Sequence, residues 1–185
     1  FNTFAINPHP TYCNMARNNL EFMNYQVSWD ESLLDELNHI SPHVEEVLLK
    51  VYPQVEKGKN SFIPRLHSYC KKYPRVPVFK NLLSSLSMNT GNRQKAYEIN
   101  NWLVKEHPDY LFGRVNKASE LLEADKPEEV PEFLGPKMDI GLLYPQRKEF
   151  HVEEIMGYNA VAIWYYLFID NIEQAEKRLD LMKEI

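Results

Sequence analysis

The chain has 185 residues, of which 44% are apolar and 12% aromatic, and its net charge is −5. That length and apolar content are those of a folded domain with a sizeable core, and they exclude a disordered tail. Acidic and basic residues are interspersed, so no concentrated basic field offers itself to nucleic acid, and Lys71-Lys72 and Arg147-Lys148 read as solvated surface.

Residues 1–40 predict two helices. Tyr12, Met15, Ala16, Leu20 and Met23 mark the first. Ser28-Trp29-Asp30-Glu31 is a capping-box pattern opening the second, with Leu33, Leu34, Leu37 and Ile40 as its apolar side. The opening Phe1 is read as a trimmed or processed start. The two cysteines, Cys13 and Cys70, are too few for a disulfide framework and suggest thiols in a reducing compartment.

From Ser41 onward the chain falls into helical pairs. Ser41-Pro42 opens a helix with Val44, Val47, Leu48 and Val51 on one side. A turn at Lys57-Gly58-Lys59-Asn60 leads to a second helix over 61–72, with Pro64 in its first turn. The next pair starts at 78–88, where Phe79, Leu82, Leu83 and Leu86 recur at helical spacing. Asn89-Thr90-Gly91-Asn92 breaks it, and a partner helix over 93–105 turns Ala96, Ile99, Leu103 and Trp102 inward before Pro108 stops it. Ala96 is small because two helices cross closely there.

A third pair spans 111–134, with Ala118 in its first helix and Asp125 in place of the turn glycine. Lys126-Pro127-Glu128-Glu129 reads as the start of its second helix, with Pro131 tolerated in the opening turn. Gly135-Pro136, Gly141 and Tyr144-Pro145 then mark an inserted loop over 135–150. The apolar run 155–169 contains Gly157 and Asn159 and falls short of the ~20 residues that cross a bilayer, so a buried helix is expected. Asp170 to Ala175 repeats the turn-and-alanine pattern. No stretch alternates with period two for long, so little or no sheet is expected.

Pro74 and Pro108 stand 34 residues apart, as do Ala96 and Val130, and a helix-turn-helix pattern lies within the interval. With turn Gly91, Ala96 and terminal Pro108, the unit resembles a tetratricopeptide repeat (TPR). It departs from that pattern at Lys80 and Ser84, where the repeat has an aromatic residue and glycine. The resemblance covers about 42–185 and implies an all-α fold: a right-handed α-α superhelix of TPR-like hairpins over 41–185, capped by the helical pair of 1–40.

Arrays of this kind bind extended peptides along the surface formed by the first helix of each unit. The resemblance puts candidate peptide-binding residues at Val47, Asn81, Ser85, Met88, Val115, Ser119 and Trp164. Asn81 and Ser85 are the polar pair able to fix a peptide backbone, while Trp164 reads as an anchor or, in so apolar a helix, as core. Val47 and Val51 stand where a carboxylate clamp has Lys and Asn, and Val115 and Ser119 add no cation. A binder of chaperone tails is therefore not expected.

The six histidines form no HExxH, and CxxC, GxSxG and a phosphate-cradling glycine loop are absent. His-Val-Glu-Glu occurs twice, at His43–Glu46 and His151–Glu154, but His43, Glu46 and Lys50 share a water-facing stripe. The acids suit helix starts. His107 beside Pro108 reads as a helix-end residue where partial positive charge is welcome. The expectation is a non-enzymatic, cytoplasmic scaffold for a protein or peptide partner, with no catalytic residues, cofactor, metal, nucleic acid or membrane. The alternatives are a metal-binding or hydrolytic helical domain using the His/Glu pairs, and a structural homodimer joined through 155–169 or the last helix.

Overall fold

Prolines and left-handed residues punctuate this chain into helices. The computed structural model describes residues 25–30, 33–34 and 40–185, and the expected helix at Tyr12–Met23 lies outside them. The chain divides into two compact units, residues 35–117 and residues 1–34 with 118–185.

The first unit holds α1 (Pro42–Glu56), α2 (Ile63–Lys72), α3 (Pro77–Asn89) and α4 (Arg93–Glu106). Proline occupies the first or second position of α1, α2 and α3, where its missing amide is no loss. Ser41 makes no side-chain cap bond, so its extended backbone and Pro42 start α1. Gly58 and Gly91 have φ of +60° and +81°, a backbone that glycine adopts without strain. Asn92 caps α4 by accepting the amide of Lys95. One apolar cluster joins Val44, Leu48, Val51 and Val55 of α1 with Leu66, Phe79, Leu82, Leu83, Leu86, Ile99 and Leu103. Tyr69 and Tyr73 stack on Phe79 with centroids 5.4 and 5.3 Å away.

Ala96 is fully buried, as expected of a close crossing. Opposite it on α3 stands Ser84, whose hydroxyl donates to Asn100 Oδ1 at 2.7 Å and lies 3.3 Å from the Ala96 carbonyl. A small side chain thus occupies the expected glycine position and adds a polar tie.

α5 (Leu111–Glu123) runs across the boundary between the units. Its end is followed by Asp125 at φ +60°. The expected second helix of this pair does not form as one piece. A 3-10 turn at Pro127–Glu129 is followed by the single turn α6 (Pro131–Leu134), stopped by Gly135 at φ +78°. Pro131 has no amide to continue the ladder, and the Val130 amide bonds Pro127 O instead.

Within the second unit, the insertion contains α7 (Ile140–Leu143) and a strand, β2 (Glu149–His151). β2 pairs in parallel with β1 (Gln26–Ser28), in the register Gln26 to Glu149, Val27 to Phe150 and Ser28 to His151. The sheet is confined to these two three-residue strands among the described residues. Ser28 ends β1 and accepts the Asp30 amide at 3.1 Å, so it opens no α-helix: Trp29, Asp30, Leu34 and Ile40 are not helical and Leu33 lies in a 3-10 turn, the other positions of the expected helix being outside the described residues. α8 (Val152–Phe168) and α9 (Ile172–Glu184) form the last hairpin, turned by Asp170 at φ +55° with Asn171 as cap. α8 is not buried throughout. Ile155, Tyr158 and Ala162 are buried, whereas Trp164, Leu167 and Phe168 are exposed. Among the described residues no helix is long and apolar enough to cross a membrane.

Candidate functional site

Three consecutive helices each turn one stripe toward a common cleft of about 340 Å³. His67, Cys70 and Lys71 come from α2, Lys80 and Leu83 from α3, and Lys95, Glu98, Ile99 and Trp102 from α4. Their spacings of three, four and seven place each set on one helical face. Leu83 and Ile99 are core residues that form an apolar floor.

Lys80 is the pivot. Its Nζ lies 3.0 Å from the centroid of the Trp102 ring, a cation–π contact. α4 supplies the ring and the lysine of α3 lies over it. Partial burial pulls the Lys80 pKa down, opposed by Cys70 and Glu106. Burial pushes the Cys70 thiol up, so it is protonated at neutral pH despite Lys80 nearby. His107, the C-cap of α4, lies 5.3 Å from the Trp102 ring. Burial lowers the pKa of His107, and Lys80 lowers it further against the pull of Glu106. Desolvation therefore outweighs the helix-end effect, and the neutral imidazole is favoured at this position.

The cleft is lined by three lysines and His67 against one acid, Glu98, with Glu106 close to Lys80. Glu98 pairs with Lys95 at 3.1 Å, both well exposed, and Lys95 holds the Glu98 carboxyl below the usual carboxylate range. Such exposed pairs are weak and easily exchanged.

The residues expected to line a peptide groove are distributed as follows. Val47 of α1 and Ser85 and Met88 of α3 are half-buried. Asn81 is buried and its Oδ1 accepts from Asn116 Nδ2 at 2.7 Å. Val115 is buried, Ser119 half-buried, and Trp164 exposed in the other unit. Val47, Asn81, Ser85, Met88 and Val115 belong to the first unit, and Ser119 and Trp164 to the second.

The two His-Val-Glu-Glu copies do different jobs. His43 lies exposed in the first turn of α1, 6.5 Å from the Tyr73 ring. His151 caps α8: its Nδ1 accepts the Glu153 amide, and Glu154 accepts the His151 amide at 3.0 Å. The buried Glu154 carboxylate is gripped bidentately by Arg147, at 3.1 and 2.7 Å, and Arg147 also donates to Leu33 O at 3.2 Å. No group of three or more His, Cys, Asp or Glu side chains is placed to hold a metal among the described residues.

The cleft escaped the sequence reading because its residues belong to three separate stripes, each ordinary alone. The available signal was the run of lysines at 71, 80 and 95, each on a face that also carries Cys70, Leu83 or Ile99. Comparison with protein-family models, curated proteins and solved structures gives no match.

Proposed function

We propose that this chain is a non-enzymatic, cytoplasmic TPR-like scaffold that binds a protein or peptide partner, its hairpins forming a right-handed superhelix. One observation carries the reading. At the three expected turns a left-handed residue is followed five positions later by a fully or almost fully buried side chain, at Gly91 and Ala96, Asp125 and Val130, and Asp170 and Ala175, and Gly135 with Ile140 does the same within the insertion. Recurrence of one turn geometry with one buried contact is what stacking hairpins require. Val47, Ser85 and Met88, half-buried on the first helices of two pairs, are the positions on which such a polypeptide would lie.

A peptide-display selection on the whole chain tests this. Enriched peptides should lose at least about tenfold in affinity against Ser85→Arg or Met88→Glu, because a charge or bulk in the groove removes contacts worth over 1 kcal/mol. Selection of no peptide, or equal binding by both variants, counts against the reading.

A second reading, homodimerisation, is favoured by the exposed apolar side chains Trp164, Leu167, Phe168, Ile169 and Ile172 around the last turn. Sedimentation should then show a dimer that Leu167→Glu with Ile172→Glu dissociates; a monomer at all concentrations contradicts it.

A further inference from the structure

We infer that the cleft between α2, α3 and α4 is a docking site for an acidic peptide segment of a partner, with carboxylates on Lys80, Lys71 and Lys95 and an adjacent apolar side chain on Leu83, Ile99 and Trp102. This goes beyond the peptide-binding surface proposed above. Lys80 and Leu83 face the cleft, whereas Asn81, Ser85 and Met88 point about a quarter turn or more away around α3.

Charge complementarity names the occupant. The protein as a whole is acidic, with a net charge of −5, yet this cleft gathers Lys71, Lys80 and Lys95 around one lining carboxylate, Glu98, with Glu106 close to Lys80. That carboxylate, Glu98, already sits on Lys95 through an exposed ion pair, the arrangement an incoming acid would displace. Lys80 is held in place by the indole of Trp102, so little side-chain freedom is lost when it meets an anion. The cavity of about 340 Å³ suits one or two side chains. Its apolar floor favours a carboxylate borne by a peptide over a bare phosphate, which gains nothing from Leu83 and Ile99. The protonated Cys70 thiol adds a further neutral, soft surface at the edge of the cleft.

The test uses the full chain and a fluorescein-labelled octapeptide alternating Glu and Leu, read by anisotropy. A Gln/Leu octapeptide of the same length is the control, and tripolyphosphate is the competitor. The acidic peptide should bind at least about tenfold more tightly than the Gln/Leu peptide, as expected for charge-assisted contacts. Lys80→Met should lose about tenfold or more, and Lys71→Met, at an exposed position that folding does not need, severalfold. Glu98→Gln should tighten binding, a gain that a purely structural role for the cleft does not produce. Lys57→Met, on the turn after α1, should leave binding unchanged. Equal affinity for the two peptides overturns the inference, as does an undiminished affinity in both lysine variants or tripolyphosphate binding without peptide binding. Loss of flank binding in Ser85→Arg leaves this site intact, so failure of one proposal is distinguishable from failure of the other.

Discussion

At the residue scale the clearest consequence of desolvation is at His107. Burial lowers its pKa, with Lys80 acting in the same direction and Glu106 against. A histidine depressed on folding binds fewer protons folded than unfolded as pH falls through about 6.5, so stability present above that pH is lost below it. NMR titration should give a midpoint below that of a free histidine. Denaturation at pH 7.5 and 5.5 should show a smaller acid loss in His107→Gln; a midpoint at or above the free value refutes this. Ala96 carries a different constraint. With no exposed surface and Ser84 across from it, Ala96→Leu should cost about 1–3 kcal/mol or more in urea denaturation, through overpacking. Asn81→Ala should cost about 1 kcal/mol, because the half-buried Asn116 amide loses its acceptor. Asn81 is thus tied to α5, and that tie was not legible in the sequence, since Asn116 stands 35 positions away.

At the element scale, punctuation was legible and pairing was not. Proline at helix starts and Gly58, Gly91, Asp125 and Asp170 at left-handed turns reproduce the expected helix limits closely. The exception is 126–134, where Pro131 splits the helix that Pro127 begins. β1 and β2 had no readable signal, because three residues show no alternation and the partners are distant in sequence. Side chains fix that pair. Arg147 connects Leu33 O to the buried Glu154 that caps α8. Removing one member of a buried ion pair strands the other, so Glu154→Gln should lose about 3–5 kcal/mol. Combining Glu154→Leu with Arg147→Met should recover part of that in a double-mutant cycle; additive losses would contradict the pairing. Gly141 has a steric role, since a Cβ there would stand 2.9 Å from the Tyr25 ring and 3.2 Å from Asp139 Oδ1. Gly141→Ala should lower the melting temperature, whereas Gly157→Ala, with open space around it, should not.

At the scale of the whole molecule, the all-α character follows from sequence periodicity, while the division into units does not. Hydrophobic stripes specify that each helix buries a face, but the partner of that face is set by tertiary packing that no local pattern encodes. The same limit hid the basic cleft, which exists only once three helices are assembled. The half-buried residues of α1 and α3 are proposed as the place where a partner polypeptide lies. Amide and methyl NMR of the full chain, titrated with a display-selected peptide, tests this most directly. Shifts should cluster on Val47, Ser85 and Met88, with those residues saturating together. Shifts confined to the Trp164–Ile172 surface, or a chain that selects no peptide at all, would contradict it.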